Sequence, residues 1–98
     1  MSYIVHIQPD AEIDLEEAAA WYELQQKRLG HNFLDEVQGT FDQIENNPNL
    51  YPVVYRSIRR AIMNRFPFAV YYQLKEETVI VIAVMHGSRH PARWKKRI

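Results

Sequence analysis

Hydrophobic residues in the first half of the chain recur at helical spacing. A first group falls three, four or seven positions apart, as one face of a helix requires: Ala11, Leu15, Ala18, Tyr22 and Leu29. Asp10 suits the N-cap, and acidic residues follow it where the helix dipole favours negative charge. We therefore predict a helix that runs from Asp10 and that Gly30 ends.

A second hydrophobic group follows directly. Its members are spaced three, four and three apart: Leu34, Val37, Phe41 and Ile44. This pattern predicts a helix that begins near His31 or Asn32 and stops at Asn46-Asn47-Pro48. Two amphipathic helices joined at one glycine predict an αα-hairpin.

The remaining segments favour β-strands. Residues 3–7 are rich in β-formers and predict a strand ahead of the helices, and residues 60–64 predict another after a connector at 48–57. Residues 68–74 alternate, which predicts a half-buried strand, and Pro67 marks its start or a bulge because proline cannot donate to a sheet. Residues 79–85 are seven consecutive apolar residues, which predicts a strand buried on both faces at the centre of the sheet.

The predicted order is β-α-α-β-β-β, with a hairpin turn at residues 75–77. Because the helices come early and the strands late, the order is typical of an α+β fold. We expect the two-helix hairpin to pack on a small, mainly antiparallel sheet. Ninety-eight residues without a long linker predict one domain over 1–98.

Charge is segregated along the chain although the net charge is zero. Residues 1–50 hold ten carboxylates and two basic residues, and residues 51–98 hold ten basic residues and two carboxylates. The basic half favours an anionic partner, or its charge is neutralised by the acidic helices within the fold.

Several classes of protein are excluded or disfavoured. The chain has no cysteine, so it has no disulfide and no thiolate chemistry. The longest apolar run is far below the roughly 20 residues of a membrane-spanning helix, and no signal pattern is present, so we expect a cytoplasmic protein without membrane contact. No phosphate-binding glycine loop or nucleophile elbow occurs, and we expect no cofactor. His86 and His90 are four apart, but Gly87 and Pro91 oppose a helix there, so no metal site is expected.

The candidate chemistry is therefore that of basic residues, which form two groups in the sequence. One group surrounds the first strand of the late sheet, and the other follows the last strand: Arg56, Arg59, Arg60 and Arg65, then Arg89, Arg93, Lys95, Lys96 and Arg97. Arginine binds phosphate through a planar fork, and Tyr51, Tyr55 and Trp94 are available to stack on bases. The structural alternative is that these residues form a basic rim whose charge the acidic helices neutralise.

Histidine adds a second hypothesis, because its side chain moves protons near neutral pH. In a ribonuclease, His86 would serve as acid or base, with Arg60 and Arg89 stabilising the pentavalent phosphate. These roles require the three side chains to share one site. A histidine at a strand end is otherwise a hydrogen-bonded structural residue.

Five segments in this order resemble the RelE/ParE family of bacterial type II toxins. They extend from about Ala11 to Trp94: "DLEEAAAWYE", "LGHNFLDEV", "NNPNLYP", "RRAIMNRFPFAVYY" and "VIAVMHGSRHPARW". The resemblance implies a two-helix hairpin on an antiparallel sheet, and a cognate antitoxin whose acidic segment covers the basic tail. It also implies one of two activities, cleavage of messenger RNA on the ribosome in RelE-like members or poisoning of DNA gyrase in ParE-like members.

The resemblance is closer to the ParE side. RelE-like cleavage uses lysine, arginine and a C-terminal tyrosine or histidine, yet residues 46–66 contain no lysine and the tail beyond Trp94 contains no tyrosine. We therefore expect a ParE-like, gyrase-directed toxin. The alternatives are a RelE-like endoribonuclease with Arg60, Arg65, His86 and Arg89 in catalysis, and an inactive module that binds antitoxin or nucleic acid. The expected binding surface is Arg56, Arg59, Arg93, Trp94, Lys95, Lys96 and Arg97.

Overall fold

A computed structural model describes residues 3–98 and has α+β architecture, which confirms the predicted class. The elements in chain order are β1 Ile4–Ile7, α1 Pro9–Gln25, α2 Leu29–Asn46, β2 Val53–Tyr55, β3 Ile58–Ile62, β4 Phe68–Lys75, β5 Thr78–His86 and α3 Ala92–Lys95. The five strands form one sheet in the order β1-β5-β4-β3-β2. β1 runs parallel to β5, and the other neighbours are antiparallel. No helix within residues 3–98 has the length and apolar character to cross a membrane.

The order contains two elements that periodicity did not predict, β2 and α3. β2 lies inside the predicted connector and has three residues, too few to show alternation. α3 is one turn of helix in the basic tail, and its Trp94 is 4% exposed. The conformation of such short elements depends on the residues that they pack against and not on a pattern in their own sequence.

The hairpin turn differs from the prediction that Gly30 ends the first helix. α1 already ends at Gln25, and Arg28 takes the left-handed conformation with φ 71° just before α2. Gly30 is the second residue of α2, where a Cβ would lie 2.3 Å from the carbonyl oxygen of Ala19. The glycine is therefore required for close contact between the helices. The Glu23 carboxylate accepts the backbone N–H groups of Arg28 at 2.8 Å and Gly30 at 3.1 Å, which caps α2.

The main core lies between the hairpin and one face of the sheet. Its centre is an aromatic cluster in which Tyr22 and Phe33 of the helices meet Phe66 and Phe68, with ring centroids 4.9 to 5.9 Å apart. Phe33 has no exposed surface. Tyr22 therefore packs against the sheet as its helical spacing indicated.

The apolar strand β5 is buried on both faces, as predicted, but it is not the central strand. β4 occupies the middle of the sheet, and β5 lies between β4 and β1. Tyr71 pairs with Ala83 and Tyr72 with Val81, so Ile82 is an extra residue that makes a bulge in β5.

The second face of the sheet is covered by the C-terminal tail. The Trp94 ring stacks on Tyr71 with centroids 4.4 Å apart and meets the edge of Tyr55 at 5.9 Å. Tyr71 and Ala69 are consequently 5% and 3% exposed. The prediction that β4 is only half buried is therefore wrong, because α3 shields the face that alternation had assigned to solvent.

Candidate functional site

A cleft opens between α1 and the segment that follows β5. Its volume is about 650 Å³, within the range of ligand-binding pockets. α1 forms one wall, β5 and the residues before β4 form the floor, and residues 88–93 form the other wall. The lining residues are Asp14, Glu17, Ala18, Trp21, Tyr22, Pro67, Phe68, Val84, Met85, His86, Ser88, Arg89 and Arg93.

The cleft arises because β1 is shorter than β5. β1 pairs with β5 only as far as Val81, and the last bond of this ladder runs from Gln8 N–H to the Val81 carbonyl. Beyond that point two side chains take the place of a strand. The Asp14 carboxylate accepts the Val84 N–H at 3.0 Å, and Arg97 donates to the Ile82 carbonyl at 3.0 Å. The edge of β5 is thus satisfied without a neighbouring strand.

Asp14 and Arg97 also bind each other. The two nitrogen–oxygen distances are 2.6 and 3.0 Å, and the side chains are only 11% and 19% exposed. The hydrogen bond to Asp14 is the main reason that the pKa of Arg97 is raised, while burial opposes the change. This pair, which we call the Asp14–Arg97 clamp, fastens the C-terminus to α1 and closes one end of the cleft.

Two histidines organise the turn after β5. The His86 Nδ1 accepts the Ser88 N–H at 3.0 Å and lies 2.8 Å from the Ser88 hydroxyl, and its ring meets the edge of Phe68. The His90 Nδ1 accepts the Ala92 N–H at 3.1 Å. Both rings therefore have hydrogen-bonding roles in the turn that places Arg89 and Arg93. Within residues 3–98, no three metal-ligating side chains come together.

The proposed catalytic residues do not converge. Ile58 packs with Trp94 on the tail side of the sheet and Ala61 packs in the main core, so strand alternation places Arg60 on the tail side. His86 contacts Phe68 on the helical side. The hypothesis that Arg60, His86 and Arg89 share one site fails on this geometry, since only His86 and Arg89 line the cleft.

Arg65 does not line the cleft. It lines a separate, smaller cleft of about 210 Å³ with residues of α2, among them Asn32 and Asp35. The sequence could not separate these arginines, because the face of a strand residue depends on the register of the whole sheet.

Three residues of the expected binding surface are used inside the fold. Trp94 is buried by its stacking on Tyr71, and Arg97 belongs to the clamp. Arg59 donates to the carbonyl oxygens of Tyr51 at 2.6 Å and of Asn49 at 3.2 Å, which holds the segment before β2.

The other members of that surface divide between two places. Arg93 lines the cleft. Arg56 and Lys95 lie over the Tyr55 ring, with cation-to-centroid distances of 5.0 and 4.4 Å, and Lys96 is exposed beside them. The basic tail is therefore not one continuous surface.

The sequence prediction missed Asp14 and Trp21 as parts of the site. Asp14 lies three residues after Ala11 and four before Ala18, both assigned to the buried face. Its spacing therefore indicated the buried face, but its charge favoured a place in solvent. Trp21 is not among the residues of the predicted apolar helix face. It is 57% exposed at the cleft, which periodicity alone cannot indicate.

Comparisons with known proteins agree with the fold. A family model described as the ParE toxin of type II toxin–antitoxin systems, parDE, matches residues 5–91. A chain from the chromosomal ParDE system of P. aeruginosa superposes with a TM-score of 0.77 at 12% identity, covering 86% of this chain and 95% of that chain. A chain from the RelBE2 toxin–antitoxin complex of Mycobacterium tuberculosis superposes with a TM-score of 0.61 at 18% identity, covering 88% and 99%. At such identities the two likenesses concern the fold alone. A search of curated proteins gives no match.

Proposed function

Since the chain belongs to the ParE toxin family of type II toxin–antitoxin systems, we propose that it inhibits bacterial growth through DNA gyrase. We also propose that a cognate antitoxin neutralises it, and that both proteins act in the cytoplasm. The observation that carries this proposal is the family match over residues 5–91. The gyrase target and the antitoxin are inferences from that membership.

The separation of the basic residues favours a non-nucleolytic mechanism over RNA cleavage. Cleavage needs a base, a cation beside the phosphate and an acid within one site. His86 and Arg89 are together in the cleft, but Arg60 lies across the sheet and Arg65 lies against α2. Of the four residues named for catalysis, a RelE-like endoribonuclease would have only His86 and Arg89 in this cleft, beside Arg93 of its lining.

A direct test is induced expression in a bacterial host, with plasmid topology and messenger RNA ends measured in the same cells. We expect gyrase-linked DNA breaks or loss of supercoiling while messages stay intact. Purified chain should also inhibit supercoiling by purified gyrase, and co-expression of the protein encoded beside its gene should restore growth. A host with an empty vector is the control.

Two other outcomes would contradict the proposal. Messenger RNA cut in phase with codons, with DNA unaffected, would identify an endoribonuclease. The His86→Gln and Arg89→Gln variants would then test whether the cleft is its active site. Unchanged growth together with tight binding to the adjacent protein would indicate an inactive binding module.

A further inference from the structure

α1 has apolar side chains on the face that points away from the core as well as on the face that packs against it. Ala11 is buried and Tyr22 packs on the core. On the opposite side, Leu24 is 85% exposed, Ile13 is 49% exposed, and Ala20 between them is exposed. These three residues are seven and four apart, so they form one line along the helix, which we call the α1 stripe. Single exposed apolar residues need no explanation, but a stripe at the spacing of a coiled-coil seam indicates a packing partner.

The two ends of the α1 stripe have opposite charges. Glu12 and Glu16 are exposed near the start of α1, and Lys27 and Arg28 are exposed in the turn that follows the helix. None of these four side chains has an opposite charge within ion-pair distance in the part of the chain that the structure describes. Glu23, the carboxylate nearest to the basic end, accepts backbone N–H groups at the start of α2. The surface of α1 is therefore apolar in the middle, acidic at one end and basic at the other.

We propose that two copies of the chain associate through the α1 stripe, with the two α1 helices antiparallel. In this arrangement Ile13 of each copy meets Leu24 of the other, because the two residues lie on either side of a two-fold axis. Ala20 lies near that axis, where its small side chain lets the helices approach closely. The acidic end of each helix lies beside the basic end of the other, whereas parallel helices would place like charges together. One surface thus supplies both sides of the interface, as a two-fold dimer requires.

The charge pattern favours a second copy over other partners. The acidic end would repel a nucleic acid, and a partner with a single sign of charge would match only one end. A second copy matches both ends and the apolar middle. This inference goes beyond the proposed function and does not depend on it, because it concerns the chain alone.

The dimer is expected to be weak and reversible. A pair of single helices buries less than the roughly 1,200 Å² at which stable interfaces begin. We therefore expect a dissociation constant on the order of tens of micromolar.

The first test is analytical ultracentrifugation of the purified chain over about a hundredfold range of concentration, which spans the expected dissociation constant. Leu24→Asp should weaken self-association by about tenfold or more, because a two-fold interface contains the substitution twice. Leu50→Asp is the matched control, since Leu50 is 68% exposed and lies after α2, outside the α1 stripe. It should associate within about twofold of the unchanged chain. Thermal melts check that both variants are folded.

A charge swap tests the antiparallel arrangement. The variant Glu12→Lys/Glu16→Lys has two basic ends, and the variant Lys27→Glu/Arg28→Glu has two acidic ends. Each variant alone should associate about tenfold more weakly than the unchanged chain, because like charges then face each other. An equimolar mixture of the two should form a mixed dimer with affinity within about threefold of the original, since opposite charges meet again at both ends. Mixing cannot repair a folding defect, so this recovery reports on the interface itself.

Cross-linking tests which residues meet. The chain has no cysteine, so an introduced thiol is the only one present. When Ile13→Cys and Leu24→Cys chains of different size are mixed and oxidised, the mixed disulfide should form faster than either homodisulfide, because disulfides need Cβ atoms roughly 4 Å apart.

Three results would overturn the inference. The first is a monomer at every concentration, and the second is a Leu24→Asp variant that associates as tightly as Leu50→Asp. The third is a mixture of charge-swapped chains that associates no better than each chain alone. Homodisulfides that form as fast as the mixed disulfide would also exclude the antiparallel arrangement.

Discussion

The Asp14–Arg97 clamp gives the sharpest prediction, because one carboxylate satisfies both a guanidinium and a backbone N–H. The change Asp14→Ala would leave Arg97 without its bidentate partner and the Val84 N–H without its acceptor. Removing one member of a buried ion pair costs about 3–5 kcal/mol. The side chains of Asp14 and Arg97 are still 11% and 19% exposed, so water offsets part of this loss. We therefore expect Asp14→Ala to lower the free energy of unfolding by about 2–4 kcal/mol.

The expected loss is large for a chain of this size. In a 98-residue domain, each kcal/mol lowers the melting temperature by roughly 4–8 °C, so we expect a decrease of about 8–32 °C. Thermal and urea unfolding of the purified chain, followed by circular dichroism, would measure it. Asp10→Ala is the control, because Asp10 is 66% exposed and its carboxylate lies 4.0 Å from the Arg97 Nε. That change should cost no more than about 1 kcal/mol.

A double-mutant cycle separates the clamp from general damage to α1. The change Arg97→Ala should cost at least about 1 kcal/mol less in the Asp14→Ala background than in the unchanged chain, because the interaction is already absent. Additive effects of the two changes, or an Asp14→Ala variant as stable as Asp10→Ala, would refute the role assigned to the clamp.

Two further predictions concern packing and pH. Gly30→Ala should destabilise the chain by about 1–3 kcal/mol, because its Cβ would lie 2.3 Å from the Ala19 carbonyl oxygen. Gly39→Ala, whose Cβ meets nothing within 4 Å, should instead stabilise the chain by about 0.5–1 kcal/mol. Equal melting temperatures for the two variants would contradict this account of the hairpin. Burial raises the pKa of Tyr72, whose hydroxyl donates to the Pro48 carbonyl at 2.5 Å, to about 12. The unfolded chain then loses this proton near pH 10 while the folded chain keeps it, so the contribution is complete below pH 10 and is lost as the pH rises toward 12. Urea unfolding between pH 8.5 and 11 should show stability falling more steeply in the unchanged chain than in Tyr72→Phe, and parallel curves would exclude this linkage.

The elements themselves could be predicted because each depends on neighbouring residues. Helical spacing identified both helices, and the run at 79–85 identified a strand buried on both faces. The family resemblance depended on the order of five sequence segments, and the family match confirms it. Errors occurred where two segments meet. Gly30 looked like the end of a helix, but its place is set by the distance between α1 and α2.

The site depended on contacts that no local pattern contains. Asp14 and Arg97 are 83 residues apart in sequence, and they meet only because β1 ends early and leaves the edge of β5 open. Arg60 begins one predicted strand and His86 follows another, yet the sheet places them on opposite faces. Spacing along a chain determines which residues share a face of one helix or strand, because the backbone repeat is fixed. The assembly of those faces into a cleft depends on strand order, register and the bulge at Ile82, and only the tertiary structure determines these.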